Sequence, residues 1–156
     1  MPSEHKIGEV ADALGITVRT IRYYEEAGLL EPLRTEGGTR YYTERHMARL
    51  RAILHLADNG FSLEAIRLIA AAREGSRSGD EGSSRVTTRL DEVLEELAMR
   101  IDALALLKEE IVRARSWVRK CRGCANRPTS KGCPECPVRK HVADVELLGL
   151  IWDQHD

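Results

Sequence analysis

Hydrophobic residues recur at helical spacing in the first part of the chain. Between residues 6 and 14 they fall three or four positions apart, which predicts an amphipathic helix with an apolar face made of Ile7, Val10, Ala11 and Leu14. Gly15 favours the left-handed turn that ends a helix, and Thr17 is a residue type that caps the start of the next one. The pattern therefore predicts a helix, a tight turn and a second helix reaching to about Ala27.

The second predicted helix has a polar outer face. Val18 and Ile21 point toward the predicted core, so the side chains left outside are those of Arg19, Thr20, Arg22 and Tyr23. Two short helices joined by a glycine turn, with Arg, Thr and Tyr exposed on the second, are typical of a helix-turn-helix that enters the DNA major groove. The alternative is a small helical domain whose arginines are solvated surface residues.

A two-stranded hairpin is predicted directly after this pair of helices. Gly37 and Gly38 separate two short segments between Leu29 and Tyr42, and a glycine pair accepts the positive φ angles of a tight turn. Such a hairpin beside a recognition helix commonly contacts the phosphate backbone. The side chains that it offers for those contacts are Arg34, Arg40 and Tyr41, and on the helical side Thr17 completes the predicted DNA-binding set.

The rest of the chain divides by composition. Two more helices, capped by Thr43 and Ser62, complete a predicted DNA-binding domain over residues 1–73. Residues 74–84 contain Gly, Ser, Arg and acidic residues without an apolar group, which predicts a flexible linker. Residues 85–120 then read as one long helix, with no Gly or Pro, whose heptad positions are Leu90, Leu97, Leu104, Ile111 and Val118 and whose companion positions are Leu94, Ile101, Leu107 and Ala114.

A helix of that length cannot cover its own apolar seam. Pairing with a second copy as a coiled coil is the expected solution, and folding back onto its own domain is the alternative. The companion positions change register along the helix, which predicts an irregular seam. The fold class predicted from these patterns is mainly α.

Four cysteines after the long helix carry the predicted chemistry. Cys121, Cys124, Cys133 and Cys136 form two CxxC pairs separated by eight residues, in a predicted loop at residues 121–140. Two such pairs can bring four thiolates to one tetrahedral centre, so either Zn²⁺ or an iron–sulfur cluster is expected. A dithiol–disulfide redox pair is the alternative. A last helix is predicted within residues 141–156, and it carries Val142, Val145, Leu148, Ile151 and Trp152 on one face.

Charge and hydropathy change this picture only locally. The formal net charge is −1, so bulk charge gives no indication of a nucleic-acid partner. Residues 113–140 nevertheless hold nine Lys or Arg and one acid, Glu135, and such a basic surrounding would stabilise an anionic thiolate centre. No stretch resembles a secretory signal or a membrane span, so a cytoplasmic protein with reduced thiols is expected.

The segments IGEVADALGITVRTIRYYEEAGLLEP and GGTRYYTERHMARL resemble the winged helix-turn-helix of the MerR family of bacterial transcription regulators. The resemblance is dense from about Ile7 to Ala71. It implies an antiparallel dimerisation helix, a homodimer on double-stranded promoter DNA, and distortion of that DNA so that RNA polymerase can use it. It also implies a regulator and not an enzyme.

The cysteine loop resembles that family's members less closely. Its position is similar to the four-cysteine [2Fe–2S] loop of the SoxR subgroup, but the two symmetric CxxC pairs depart from that spacing. Zinc-type sensors of the family have a cysteine at the start of the dimerisation helix, where this chain has Ser83 and Ser84. An iron–sulfur redox sensor or a zinc site, structural or sensed, is therefore expected. A thiol–disulfide oxidoreductase and a zinc-stabilised protein adaptor are the alternatives outside this family.

Overall fold

The computed structural model describes residues 4–127 and 136–152. These residues divide into two compact units, with the boundary between Glu92 and Val93. The described part is mainly helical, as predicted, and its regular elements are α1 (Ile7–Leu14), α2 (Val18–Glu26), β1 (Leu33–Arg34), β2 (Arg40–Tyr41), α3 (Glu44–Asp58), α4 (Leu63–Ala71), α5 (Gly79–Val118) and α6 (Glu146–Trp152).

The predicted pair of short helices at the start of the chain is confirmed. Gly15 ends α1 with a φ of 65°, in the left-handed region that glycine adopts without steric cost. Thr17 then caps α2, because its hydroxyl oxygen accepts from the backbone N–H of Thr20 at 3.1 Å. The inner sides of the two helices bury Val10 and Ile21 completely.

The predicted hairpin is confirmed as well, and we call residues 33–41 the wing. Its two strands are antiparallel, with Leu33 opposite Tyr41 and Arg34 opposite Arg40. The turn between them closes on Gly38, which has a φ of 80°. Beyond the strands, a bridge between His5 and Tyr42 ties the base of the wing to the residues that precede α1.

In the first unit α3 and α4 also pack against each other. Ser62 caps α4 by accepting from the backbone N–H of Ala65 at 3.1 Å. The two helices and the connection between them contribute buried side chains from Met47, Leu50, Ile53, Phe61 and Ile66. Burial of this much apolar surface gives the unit a hydrophobic core of its own.

The linker predicted over residues 74–84 is wrong in its second half, because α5 begins at Gly79 and not at residue 85. Ser78 caps this start, since its hydroxyl oxygen accepts from the backbone N–H of Glu81 at 3.1 Å. In return the Glu81 carboxylate accepts from the backbone N–H of Arg77 at 2.9 Å. The order Ser-Gly-Asp-Glu is therefore a helix-start signal that the Gly- and Ser-rich composition concealed.

Most of the predicted seam on α5 is exposed in the single chain. Its large exposed side chains include Leu90, Leu94, Ile101, Leu104, Leu107, Ile111 and Val118. Leu97 is half-buried, and Ala114 is buried against Val145 and Leu148 of the same chain, so Ala114 is not free for a partner helix. Among the helices of residues 4–127 and 136–152, none is apolar over enough of its length to cross a membrane.

The end of the chain folds back on α5 more irregularly than predicted. After Val118 the chain tightens into a 3₁₀ turn at Arg119–Cys121. The helix predicted within residues 141–156 is in two parts, a 3₁₀ turn at Arg139–Asp144 and α6 at Glu146–Trp152. Val145 has an extended backbone between these parts, and its buried side chain fixes the break.

Candidate DNA interface and cysteine centre

Three of the predicted DNA-binding side chains are exposed to solvent on the outer face of α2. Arg19 and Arg22 are exposed, and Tyr23 is 50 % exposed. The Tyr23 ring lies 5.4 Å from the ring of the buried Tyr24, which supports it from below. Two cations and an aromatic ring with a hydroxyl group are groups that contact phosphates and base edges.

Thr17 and Thr20 both have a structural role, although the sequence predicts one only for Thr17. Their hydroxyl groups are hydrogen-bonded to each other at 2.9 Å, and Thr20 is partly buried. Both hydroxyls lie at the start of α2, where they organise its first turn. Thr17 is exposed like the two arginines and Tyr23, so Thr20 is the least open member of the predicted set on this helix.

The wing presents the other predicted side chains unequally. Arg34 is exposed and donates from Nη1 to the carbonyl oxygen of Gly38 in its own turn, at 3.2 Å. Arg40 is 43 % exposed, and its Nε lies 3.5 Å from Oε2 of Glu25 on α2. Tyr41 is half-buried. The structure thus brings the wing and α2 together through an acidic residue that was not among the predicted site residues.

Glu25 is therefore a residue of the site that was not predicted from the sequence, and besides Arg40 it has a second partner, Tyr42. The Tyr42 hydroxyl donates to Oε1 of Glu25, and Tyr42 is fully buried. Burial raises the pKa of Tyr42 well above its ordinary value, and the hydrogen bond to the Glu25 carboxylate raises it further. Tyr42 therefore remains a hydrogen-bond donor. No local pattern could have revealed this contact, since the two residues are 17 positions apart.

Two more contacts hold the base of the wing. His5 approaches Oε1 of Glu44 on α3 with its Nε2 at 3.0 Å, and its backbone pairs with that of Tyr42. On the other side, Arg49 donates from Nε to the carbonyl oxygen of Leu29 at 2.6 Å, next to the end of α2. These contacts fix the direction in which the wing leaves the helical core.

The first CxxC pair forms a well-defined tight turn. The backbone N–H of Cys124 donates to the carbonyl oxygen of Cys121 at 3.1 Å. Arg122 has φ −62° and ψ 130°, and Gly123 has a φ of 78°. These angles define a type II β-turn, in which the third position needs a positive φ and so favours glycine. The turn brings two cysteines close in space directly after α5.

The second CxxC pair lies only partly in the described structure. Cys136 is described and half-buried, whereas Cys133 lies outside the described residues. Within residues 4–127 and 136–152 no three metal-binding side chains form a cluster. Three of the four predicted ligands, Cys121, Cys124 and Cys136, are described, and the described structure does not bring these three together as one cluster. The donor set itself, four sulfurs in two CxxC pairs, fits a thiophilic ion or a cluster.

Two contacts connect the residues that follow Cys136 with α5, and a third lies at the end of α5 itself. The Trp117 ring on α5 stacks on the His141 ring, with centroids 3.7 Å apart and planes 21° from parallel. Nζ of Lys120 lies 3.6 Å from the centroid of the Trp117 ring. On an earlier turn of α5, Glu110 accepts from the backbone N–H of Leu147 at 2.9 Å, at the start of α6. The segment after Cys136 is therefore held against α5.

Comparison with known proteins identifies the helix-turn-helix unit. A family model described as MerR HTH family regulatory protein matches residues 5–73. The HTH-type transcriptional regulator ZntR homolog of Haemophilus influenzae is 40 % identical over 111 residues, which are 70 % of this chain and 80 % of that protein. A match of this length extends well beyond the helix-turn-helix and the wing.

Two other relatives extend the similarity over most of the chain. The heavy metal-dependent transcription regulator 2 of Rhizobium meliloti is 29 % identical over 140 residues, which are 88 % of this chain and 86 % of that protein. The solved structure of the transcription regulator PbrR691 from Ralstonia metallidurans, in complex with lead(II), is similar with a TM-score of 0.57. It is 29 % identical, and the match covers 88 % of this chain and 98 % of that one.

Proposed function

The chain belongs to the MerR family of helix-turn-helix regulators, and from this membership we propose that it is a homodimer that controls a promoter in response to a thiophilic metal ion. It is a DNA-binding transcription regulator and not an enzyme. As a regulator of promoter DNA it acts in the cytoplasm. The controlled step is the use of a distorted promoter by RNA polymerase, and bending DNA over one site costs on the order of 1–6 kcal/mol.

The DNA-binding part of the proposal rests on the outer face of α2 together with the wing. Arg19, Arg22 and Tyr23 face solvent on a capped helix, and that helix packs on a second one in helix-turn-helix geometry. In such an arrangement the second helix enters the major groove and the wing contacts the flanking phosphates. We assign base contacts to these three residues and backbone contacts to the wing.

The homodimer follows from the uncovered seam on α5. Its exposed leucines and isoleucines are spread along the helix from Leu90 to Val118, and a second copy of the same helix would bury them. Charge favours the antiparallel orientation. Residues 91–102 hold five acids and one arginine, whereas residues 108–122 hold six basic residues and two acids. An antiparallel pair places each acidic segment beside the basic segment of its twin.

The metal part of the proposal rests on where the cysteines lie relative to α5. Cys121 ends the 3₁₀ turn that continues α5, and Cys136 stands two residues before the buried Val138. An ion held by Cys121, Cys124, Cys133 and Cys136 would tie the end of α5 to the segment that packs back on it. When bound, it supplies a fixed cross-link between these segments. Zn²⁺ is our first choice, because four thiolates suit it. In support of a metal ion, one relative is named a heavy metal-dependent regulator and another was solved in complex with lead(II).

An iron–sulfur cluster is the second candidate, and it makes the protein a redox sensor. The observation in its favour is the number of cysteines, since four thiolates are the usual ligand set of such a cluster. The two candidates differ in colour. Protein purified without oxygen would be brown with visible absorbance if it held a cluster, and colourless with a bound divalent ion otherwise.

The proposal is tested by binding and transcription together. The full chain, stripped of metal, is used to select duplexes from a randomised pool, and the selected duplex then serves as promoter spacer in transcription with RNA polymerase. We expect one metal ion per chain and a change in transcript yield of tenfold or more when Zn²⁺ is added. Pb²⁺, Cu⁺ and Cd²⁺ are tested in parallel, because each is bound by thiolates.

Matched serine variants identify the ligands. Cys121→Ser and Cys136→Ser should abolish the metal response while selected DNA is still bound. Ser83→Ala at the start of α5 is the control and should respond normally. Failure of the wild-type chain to prefer any duplex would refute the DNA-binding function, and a normal response in both cysteine variants would refute the metal site.

A further inference from the structure

Glu25 is an almost buried carboxylate at the centre of the DNA-binding unit. Its side chain is 10 % exposed, and both oxygens are engaged by residues of the wing or its base. One oxygen accepts from the Tyr42 hydroxyl, and the other lies 3.5 Å from Nε of Arg40. The negative charge of a carboxylate within a surface proposed to bind phosphate weakens that binding. The position of Glu25 therefore indicates a role that compensates for this cost.

The wing itself carries a charge conflict that Glu25 relieves. Arg34 and Arg40 are directly opposite each other on the two antiparallel strands, and like charges in this position destabilise a strand pair. Arg40 has an anionic partner in Glu25. Arg34 donates only to the carbonyl oxygen of Gly38 among the contacts that the structure describes, and a neutral acceptor does not compensate its charge.

We propose that Glu25 is a positioning residue that holds the wing against α2 through Tyr42 and Arg40, and that it thereby divides the roles of the two wing arginines. Arg40 is kept on Glu25 as a structural cation. Arg34 is the arginine of the wing that contacts the DNA backbone. This inference rests on the proposed DNA binding, and it revises the equal roles that the sequence assigned to the two arginines.

Tyr42 makes the arrangement rigid. Its backbone N–H and carbonyl group pair with those of His5, at 2.9 and 2.8 Å, so its ring cannot follow a movement of the wing. The ring also meets the edge of the His46 ring, with centroids 6.2 Å apart. Because the hydroxyl of a fixed ring donates to Glu25, the carboxylate stays beneath Arg40 whether or not DNA is bound.

The salt dependence of DNA binding distinguishes the two arginines. Removal of one phosphate contact from a duplex complex lowers the slope of log K against log salt by about 0.9. The full chain and the variants Arg34→Gln and Arg40→Gln are titrated with a labelled duplex of random sequence, about 30 base pairs long, between roughly 50 and 200 mM NaCl. We expect Arg34→Gln to lower the slope by about 0.9 per wing, which is about 1.8 per dimer, and Arg40→Gln to lower it by less than half of that.

Glu25→Gln supplies the opposite test. The amide still accepts from the Tyr42 hydroxyl but no longer neutralises Arg40, so the wing gains an available cation. We expect tighter binding to the random duplex and a slope that is steeper by about 0.9 per wing. A purely structural Glu25 would instead give weaker binding. The double variant with Glu25→Gln and Arg40→Gln should return the slope to nearly its wild-type value.

Equal reductions of the slope in Arg34→Gln and Arg40→Gln would overturn the proposal, as would an unchanged slope in a folded Glu25→Gln chain. If Glu25→Gln lowers the folded fraction, the comparison of the two arginine variants decides, since neither change touches the bond between Glu25 and Tyr42. Absence of any duplex binding by the wild-type chain would instead refute the proposed function, so the two failures are distinguishable.

Discussion

The two units of this chain differ in how they bury their apolar surface. The unit that contains α1 to α4 and the wing closes around fully buried side chains such as Ile21, Tyr42 and Leu50. The unit that begins within α5 has a small core, made of Ala114, Val145 and Leu148, at one end of a long helix. Along the rest of that helix most large apolar side chains face solvent, although Val93 is buried and Leu97 is half-buried.

The two units therefore differ in what their stability depends on. The first unit needs only its own sequence, because its helix starts, turns and core are satisfied within one chain. The second unit would be stabilised by the proposed partners, since the exposed seam of α5 would be buried by pairing and the segment that carries the cysteines would be cross-linked by an ion. The stability of the second unit should therefore vary with protein concentration and with metal, while that of the first should not.

The largest expected effect comes from a charge on the seam. Leu104 is 64 % exposed in the single chain and lies near the middle of the seam, so in an antiparallel dimer it meets its own twin. Leu104→Glu would place two unpaired carboxylates in an apolar interface, and we expect dissociation to be favoured by about a thousandfold, roughly 4 kcal/mol. Sedimentation equilibrium measures this change directly.

Leu106→Glu is the matched control for that prediction. Leu106 is 67 % exposed and two residues further along the same helix, where its side chain points to the opposite face. This variant should stay dimeric and bind DNA normally. If both variants dissociate equally, α5 does not pair through the seam. The stability of the second unit would then not depend on this pairing, and the two units would not differ in the way described.

The second prediction concerns the core of the first unit. Leu50 on α3 is completely buried, and Leu50→Ala should lower the free energy of unfolding by about 2–5 kcal/mol, because methylene groups are removed and a cavity remains. Urea unfolding at several protein concentrations checks both the size and the origin of the effect. The destabilisation should be the same at each concentration, and one that shrank on dilution would mean that this core depends on the dimer.

Much of the first unit was predictable because its signals are local. Gly15, Thr17 and Ser62 each act within four residues, so capping and turn chemistry place α1, α2 and α4 correctly. The CxxC pair is local in the same way, and Gly123 supplies the positive φ that its turn needs. The exposed apolar positions of α5, such as Leu104 and Ile111, also follow from spacing alone.

The sequence-based predictions were wrong or incomplete where a residue contacts a partner that is distant in sequence, or where a helix cap lies in a segment with a linker-like composition. Glu25 was not predicted as a site residue because its partners lie on the wing and at its base, 15 and 17 residues later. Ala114 was assigned to the dimer seam, yet the folded-back C-terminal segment covers it. The signal in Ser78 and Glu81 was readable in principle, but the glycines and serines around it favoured a linker.

The third prediction is a pH dependence in the first unit. The pKa of Tyr42 is raised in the folded chain above its ordinary value of about 10, so between that value and the folded pKa the unfolded chain releases a proton that the folded chain keeps. The stabilisation is therefore complete below pH ~10 and decreases above it, by about 1.4 kcal/mol at pH ~11. Urea unfolding at pH ~9, ~10 and ~11 measures the decrease.

Tyr42→Phe separates this contribution from those of other groups. The pKa of Tyr24 is also raised by burial, so both chains should lose some stability in alkaline solution. The phenylalanine variant should start lower, because Glu25 loses a donor, and should then fall less steeply. Parallel decreases in the two chains would show that Tyr42 does not keep its proton in the folded state.

The smallest change in stability is expected from the cap at the start of the long helix α5. Ser78→Ala removes the hydroxyl oxygen that accepts from the backbone N–H of Glu81, and loss of such a cap costs about 1 kcal/mol. Ser83→Ala, one turn further into α5, is the control, and it should be neutral or slightly stabilising because alanine is the better helix former. Hydrogen exchange over residues 79–86 should quicken in the first variant only. Equal exchange in both variants would mean that contacts other than the cap determine where this helix begins. One such contact is the hydrogen bond from Nη1 of Arg85 to the carbonyl oxygen of Glu74.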